Sequence, residues 1–304
     1  MSPLDAATIP LVVGPLLGLA GAAIYALVRR GRTTGLTPKT ALQRAGSYAA
    51  LAAILLVAAR IGVPGLAVLF ALLGTLGLLE WCGLFELPVH HRIATTGANV
   101  VIVWAVAVGG VASASWLVAG VVLVGAVWPV IRADTGRAIR DLGFAAVGVA
   151  LISVMLVHGV ALAVEHGEAG IALVLALAVG TAFSDVGAFV VGRTFGRTPL
   201  APRLSPNKTR EGVIGNVLGA ALGLVVFVPA IVPTFGWPFF VVLIPLVAAG
   251  SLWGDLLESA AKREAGVKDA GRWLPGFGGI LDRIDSLLVT VALGYWIAKL
   301  WGAG

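Results

Sequence analysis

Long apolar runs follow one another along almost the whole chain, and they restrict the folds that it can adopt. A transmembrane helix needs about 20 mostly apolar residues, and about ten such runs can be marked: 9–28, 46–62, 65–85, 93–112, 115–131, 142–164, 170–192, 213–232, 238–257 and 280–301. Charged residues make up only 12% of the chain, whereas a soluble domain carries roughly 25%. The sequence therefore predicts an all-α fold, a polytopic transmembrane helical bundle of about ten spans.

The charged residues between these runs predict how the chain crosses the membrane. The net charge is +6, and the surplus cations lie in connections at 29–44, 193–212 and 258–279, which the positive-inside rule places in the cytoplasm. With both termini outside, this predicts a multi-pass cell-membrane protein whose basic loops face the cytoplasm. The first basic cluster follows the run at 9–28, so we expect a retained helix rather than a cleaved signal peptide. Cations confined to such loops make nucleic acid an unexpected partner.

The chemistry-bearing residues are concentrated in the second half of the chain. We expect residues 1–140 to be scaffold helices, and residues 141–304 to be the helices that carry the catalytic cytoplasmic loops. Asp255 and Glu258 close one apolar run, while Asp282 and Asp285 open the next. Residues three apart share a helix face. Cations and a glycine-rich turn lie between the two pairs: Lys262, Arg263, Lys268, Asp269, Arg272 and the segment 275–279.

A second charged block, 192–212, precedes the run at 213–232. Its prolines, Pro199, Pro202 and Pro206, exclude a long helix, so an ordered or semi-ordered basic loop is expected. Hydroxyls and cations just before a helix form an anion site, which predicts phosphate binding by Ser205, Lys208, Thr209 and Arg210. The alternative is that these cations only fix topology or contact anionic lipid.

Two further acids lie within the apolar runs. An intramembrane carboxylate is costly unless it is paired or metal-bound, which favours a functional role for Asp185, although a helix-to-helix hydrogen bond would also explain it. For Glu80, at the end of its run beside Trp81, an ordinary interfacial position and a functional role stay equally open. Several carboxylates at one level can hold Mg²⁺ together with substrate phosphates. The residue types thus indicate a Mg²⁺-assisted, phosphate-handling membrane enzyme.

The two charged blocks carry a long and specific pattern. It reads Ser259-x-x-Lys262-Arg263-x-x-x-x-Lys268-Asp269 and continues as Pro275-Gly276-Phe277-Gly278-Gly279-x-x-Asp282-Arg283-x-Asp285-Ser286. This pattern resembles the signature of phosphatidate cytidylyltransferases, also called CDP-diacylglycerol synthases. The block from Asp185 to Gly212 is similar to that family's second shared region, so the resemblance covers about residues 180–290. Phe277 stands where the family usually has His, and Val186 follows Asp185 where a hydroxyl residue is common.

The resemblance implies the reaction of CTP with phosphatidate to give CDP-diacylglycerol and pyrophosphate, with Mg²⁺ required, a cation such as K⁺ nearby, and a homodimer. It points to Asp255 and Asp282 as metal ligands, and we add Asp285. We expect the catalytic set to be Asp282, Asp255, Lys262, Arg263 and Asp185. Substrate contacts are expected from Ser205, Lys208, Thr209, Arg210, Lys268, Asp269, Gly278, Gly279 and Arg283.

Two other classes of function are compatible with parts of this pattern. An ion-coupled transporter would also carry intramembrane acids and a glycine-rich break, but it should place its charges near the midplane, whereas here they lie towards one surface. A homologue that binds nucleotide or anionic lipid without turnover is the second alternative, and Phe277 is the residue that favours it.

Replacing Phe277, the residue that differs from the family pattern, tests the non-catalytic alternative. Phe277→His is expected to change turnover less than about tenfold, roughly 1.4 kcal/mol in the barrier. The lipid phosphate has a second pKa near 6 and so needs no strong base. Pyrophosphate release from CTP and phosphatidate is the measurement. An inactive wild type that becomes active on Phe277→His would contradict the prediction and favour the non-catalytic alternative.

Overall fold

The computed structural model describes residues 38–112, 136–267 and 278–302, together with positions 120, 123 and 271, and side chains from residue 50 onwards. The predicted run at 9–28, and the run at 115–131 except for positions 120 and 123, lie outside this part of the chain. So do Lys268, Asp269 and Phe277.

Helices account for most of the described residues, as predicted for a helical membrane protein. They are α1 Pro38–Ile61, α2 Val63–Leu84, α3 Val89–Gly109, α4 Ala138–Gly148, α5 Met155–Phe195, α6 Arg210–Val225, α7 Val228–Glu264 and α8 Leu281–Leu300. A π-helical turn, Val149–Val154, joins α4 to α5. Within the described ranges, four continuous helical segments are long and apolar enough to cross a membrane: Val63–Leu84, Val89–Gly109, Ala138–Phe195 and Val228–Glu264.

Two of these segments bend sharply at a glycine. Gly167 has φ 55° and ψ −128°, and it lies in the acidic connection that the sequence predicted between the runs 142–164 and 170–192. Gly236 has φ 83° and ψ 165°, within the predicted connection 233–238. A residue with positive φ and no helical ψ interrupts a helix, and glycine adopts such a conformation without steric cost.

The predicted run at 213–232 is not one helix. The helix α6 ends at Val225, and α7 begins at Val228 with a proline in its first turn. Pro229 has no amide hydrogen to continue the preceding helix, but its fixed φ suits a first turn. The boundary therefore lies several residues earlier than the hydrophobicity indicated.

The all-α prediction fits the described helices, but the basic loop before α6 also contains a small antiparallel sheet that the sequence did not predict. Strand β1 is Pro199–Ala201 and β2 is Ser205–Thr209, with Pro199 opposite Thr209. The three prolines of this loop exclude helix, as expected, but they are compatible with a short, exposed pair of strands. The hairpin leads directly into the first turn of α6.

The helices that carry the charged blocks are in close contact. The α5–α6 crossing is formed by glycines: a Cβ on Gly187 would collide with the carbonyl oxygen of Gly215, and a Cβ on Gly219 with that of Phe183. Small residues allow helix backbones to approach closely in a membrane. At the far end of α8, the Tyr295 hydroxyl donates a hydrogen bond of 2.9 Å to Glu165. These contacts fix α8 against α5 and position both charged blocks at one end of the bundle.

A methyl group at the α5–α6 crossing tests this packing. Gly187→Ala is expected to destabilise the protein by about 1–3 kcal/mol, the usual cost of overpacking, because the new Cβ meets backbone rather than a movable side chain. Thermal unfolding in detergent measures it. Gly97→Ala is the control, since a Cβ there has open space around it. Equal melting temperatures for the two variants would contradict the described crossing.

Candidate functional site

A polar cavity of about 410 Å³ lies where the hairpin meets α5, α6, α7 and α8. Both charged blocks of the sequence line it, although they are separated by about 40 residues of chain. The predicted site residues in its wall are Asp185, Ser205, Lys208, Thr209, Asp255, Asp282 and Asp285. Asn207 and Asn216 also line it. The cavity thus combines carboxylates, cations and hydroxyls around a space large enough for several phosphate groups.

Three carboxylates in and beside this cavity lie close enough to share one cation. Oxygen atoms of Asp255, Glu258 and Asp285 are all within 4.8 Å of one another. Glu258 is only 6% exposed, and its carboxylate forms an ion pair with Lys262. Hard oxygen donors grouped around a buried carboxylate suit Mg²⁺. This trio differs from the predicted one in having Glu258 in place of Asp282.

Asp282 is engaged by the protein itself. Its Oδ1 accepts a hydrogen bond of 2.8 Å from Lys262 Nζ, and its Oδ2 accepts one of 2.7 Å from the Gly279 amide. The same ammonium group forms an ion pair with Glu258. Lys262 therefore joins the acids of α7 to those of α8 and does not point into open solvent. The Gly279 amide, which the sequence suggested for a substrate phosphate, donates to Asp282.

Carboxylates outnumber the lysines that pair with them. Five acids gather here: Asp185, Asp255, Glu258, Asp282 and Asp285. Among the described residues, two lysines form ion pairs with them, Lys262 as above and Lys208 with Asp255. Five acids against two lysines leave an excess of three negative charges when all five are ionised, and Asp185 and Asp285 form no ion pair with either lysine. Buried charge of one sign is costly unless it is paired or coordinates a metal, so the residues fit a divalent cation.

Asp185 belongs to a short chain of hydrogen-bonded polar side chains at the wall of the cavity. The Ser251 hydroxyl donates a hydrogen bond of 2.5 Å to Asp185 Oδ1, and the Asn216 amide lies 3.5 Å from that hydroxyl. Asn216 Oδ1 is buried and has no partner among the described residues. The sequence singled out neither Ser251 nor Asn216, because an isolated Ser or Asn in an apolar run is common. The chain orients Asp185 towards the cavity.

The hairpin is fixed by the helix that follows it. The Thr209 hydroxyl accepts a hydrogen bond of 3.1 Å from the Gly212 amide and so caps α6. Glu211 accepts hydrogen bonds from the Arg197 and Thr198 amides, and these backbone hydrogen bonds, with that of Arg197 first, lower the pKa of Glu211 to about 2. The hairpin therefore keeps its place at neutral pH with Lys208 directed at Asp255.

A second, more apolar cavity of about 170 Å³ adjoins the same acids from the other side. Side chains of α1, α2, α5 and α8 line it, including Leu55, Phe70 and Phe183. Three residues, Asp185, Asp282 and Asp285, belong to the walls of both cavities. Arg283 lines only the apolar one. A hydrophilic and a hydrophobic molecule could thus approach one group of carboxylates from two directions.

The remaining predicted residues lie at the margin of the site or outside the described chain. Arg263 is exposed, and its guanidinium faces the Leu204 and Val267 carbonyl oxygens at 3.4 Å. Arg210 is exposed and does not line either cavity. Gly278, with φ 83°, lies next to Asp282. Lys268 and Asp269 are not among the described residues.

Glu80 is a residue whose place the sequence left open. It is 4% exposed, and its carboxylate accepts hydrogen bonds from the Ile280 amide at 2.8 Å and the Leu281 amide at 2.7 Å. The first helical turn that carries Asp282 is thereby attached to α2. No local pattern could reveal this contact, because the partners are about 200 residues apart in the chain.

Curated relatives match part of the chain. A phosphatidate cytidylyltransferase of Thermotoga maritima is 41% identical over 141 residues, which cover 45% of this chain and 51% of the relative. One of Brucella suis is 44% identical over 114 residues, 37% of this chain and 41% of the relative. The chloroplastic phosphatidate cytidylyltransferase 5 of Arabidopsis thaliana is 40% identical over 143 residues, 45% of this chain and 34% of the relative. The aligned part therefore spans a third to a half of these relatives.

A family model extends the similarity over nearly the whole chain. The model of the cytidylyltransferase family matches residues 42–301, which include most of α1, all of α2 to α8 and the hairpin. The match thus covers both cavities and every acid described above. The chain belongs to the cytidylyltransferase family.

Proposed function

We propose that this protein is a membrane nucleotidyltransferase that converts CTP and phosphatidate into CDP-diacylglycerol and pyrophosphate. The names of its relatives support the substrates, and the signature between Ser259 and Ser286 supports the chemistry. One observation carries the proposal: a polar and an apolar cavity meet at Asp185, Asp282 and Asp285. A soluble nucleotide fits the polar side, and a lipid with acyl chains fits the apolar side.

The proposed reaction requires alignment more than proton transfer. A phosphate monoester with a second pKa near 6 is largely dianionic at neutral pH, so the lipid phosphate can attack the CTP α-phosphorus without a strong general base. The bond to the β-phosphate breaks, and pyrophosphate leaves with its electron pair. Positioning and charge neutralisation then supply most of the catalysis.

The chain's own residues divide these tasks. In the proposal Asp255, Glu258 and Asp285 hold Mg²⁺, with Asp282 beside them, and the ion when bound neutralises phosphate charge. Lys208 and Ser205, in the wall of the polar cavity, bind CTP phosphates. Arg283, in the wall of the apolar cavity, binds the lipid phosphate. Lys262 keeps Glu258 and Asp282 side by side.

The proposal includes a membrane arrangement. We propose ten spans. This number includes the runs at 9–28 and 115–131, and it takes the bends at Gly167 and Gly236 to be turns between two spans. The hairpin and the loop after α7 face the cytoplasm, the compartment that supplies CTP, because both are basic. We also propose that the protein forms a homodimer and binds a cation such as K⁺, because the family resemblance implies both.

The direct test uses purified protein in detergent or lipid. Pyrophosphate release should require CTP, phosphatidate and Mg²⁺ together, and omission of any one should abolish it. Binding of CTP or of phosphatidate without release of pyrophosphate would favour the non-catalytic alternative. Movement of an ion or solute by the protein in sealed vesicles, without lipid product, would favour the transporter.

Loss of the Asp282 charge is the first mutational prediction. Asp282→Asn should lower kcat by about 100-fold, the upper range for groups that support a metal site, because the amide keeps the volume but no longer pairs with Lys262 as an anion. Steady-state kinetics at saturating Mg²⁺ measure it. Asp141→Asn is the control, since Asp141 is also buried but lines neither cavity. Near-normal turnover of Asp282→Asn would remove this residue from the catalytic set.

Loss of the Lys208 charge should affect substrate use and not the metal requirement. Lys208→Met is expected to raise the KM for CTP about tenfold or more, since a charge-assisted hydrogen bond contributes about 1.5–3 kcal/mol. Initial rates at varied CTP and fixed phosphatidate measure it. Arg203→Met, in the exposed turn of the same hairpin, should leave the KM unchanged. A rise confined to phosphatidate would reassign Lys208 to the lipid phosphate.

A further inference from the structure

The carboxylate of Glu80 binds the start of α8 with both of its oxygens. Oε1 accepts the Ile280 amide at 2.8 Å, and Oε2 accepts the Leu281 amide at 2.7 Å. Ile280 precedes α8, and Leu281 is its first residue. Glu80 therefore takes the part of an N-cap side chain for α8, although 200 residues separate it from Ile280 in the chain.

The helix has no such cap of its own. The first four amides of an α-helix lack partners within the helix, and Ile280, at the N-cap position, has an apolar side chain that forms no capping hydrogen bond. A carboxylate at this place also interacts favourably with the positive end of the helix dipole. Without Glu80, two amides in a buried environment would lose their acceptors.

Glycines leave the space that Glu80 occupies. A Cβ on Gly279 or on Gly271 would collide with the Glu80 carboxyl group. Gly279 belongs to the glycine-rich turn of the signature, whose amides we had expected to approach a substrate phosphate. In the structure the Gly279 amide donates a hydrogen bond to Asp282, and the absence of a side chain at Gly279 leaves space for the Glu80 carboxylate. One glycine thereby adjoins two carboxylates that hold the same turn.

The turn that Glu80 holds carries two of the site's acids. Asp282 follows Leu281 directly, and Asp285 lies one helical turn further, within reach of Asp255 and Glu258. A shift of this turn would move both carboxylates relative to those of α7. Lys262 could not prevent such a shift alone, because it contacts Asp282 but forms no ion pair with Asp285 among the described residues.

We infer that Glu80 is a positioning residue that fixes the first turn of α8 and thereby sets the cation affinity of the acid cluster. The inference rests on the proposed function, because it takes Asp285 to be a metal ligand. It assigns Glu80 no contact with substrate. Groups that orient ligands in this way typically change metal affinity or activity by about 10–100-fold when they are altered.

The experiment separates positioning from simple anchoring of α8. Glu80→Gln keeps the size of the side chain but leaves only one oxygen that can accept a hydrogen bond. The side-chain NH₂ group, which is a donor, then faces the second backbone N–H. Glu165→Gln is the matched control, because Glu165 binds the opposite end of α8 through Tyr295. Mn²⁺ serves as the probe in both proteins, with free Mn²⁺ measured by electron paramagnetic resonance in the absence of substrates. Hydrogen exchange of the segment 278–286 is followed by mass spectrometry.

The dissociation constant for Mn²⁺ should rise about tenfold or more in Glu80→Gln and less than twofold in Glu165→Gln. Exchange at 278–286 should accelerate only in the first variant, and kcat should fall more than the KM for CTP rises. Unchanged Mn²⁺ affinity and exchange in folded Glu80→Gln would overturn the inference. If that variant does not fold, Gly279→Ala tests the same contact and should weaken Mn²⁺ binding likewise. A wild type that neither binds Mn²⁺ nor turns over would instead contradict the proposed function.

Discussion

The site depends on keeping five carboxylates together at one end of an apolar bundle. Removing ionised groups from water costs several kcal/mol for each ion unless partners compensate, and here the partners come from other elements. Lys262 on α7 reaches Asp282 on α8, and Lys208 on the hairpin reaches Asp255 on α7. Each cation therefore links two elements as well as neutralising an acid. The helix packing holds the acids and lysines together, and their ion pairs in turn hold the elements together.

The same arrangement explains why the site lies between two unlike cavities. The hairpin closes the polar cavity from one side, and α1 and α2 form the apolar one on the other. Asp185, Asp282 and Asp285 separate them. A reaction between a water-soluble nucleotide and a lipid phosphate needs such a boundary, because neither molecule enters the other's phase. In the proposed function this boundary is where the reacting phosphates meet.

Local sequence patterns predicted the elements whose causes are local. The acidic connection around Gly167 and the proline-rich one around Gly236 both contain a bend. The strands β1 and β2, which contain Pro199 and Pro206, were missed, because strands of three and five residues are too short to show a clear alternation. Long-range contacts were also missed: Glu80 caps α8 from α2, and Glu258, not Asp282, joins Asp255 and Asp285 in the group whose oxygens all lie within 4.8 Å of one another. A spacing of three residues indicates that two side chains share a helix face, but it does not indicate which faces of two helices pack against each other.

The fate of each phosphorus atom tests the central claim most directly. Purified protein would be given CTP labelled with ³³P at the α-position and phosphatidate labelled with ³²P, in the presence of Mg²⁺. The account predicts a lipid product that contains both labels in equal amounts, because the lipid phosphate attacks the α-phosphorus and keeps its own. Recovery of the ³³P only in water-soluble products, with the ³²P still in unreacted phosphatidate, would contradict it.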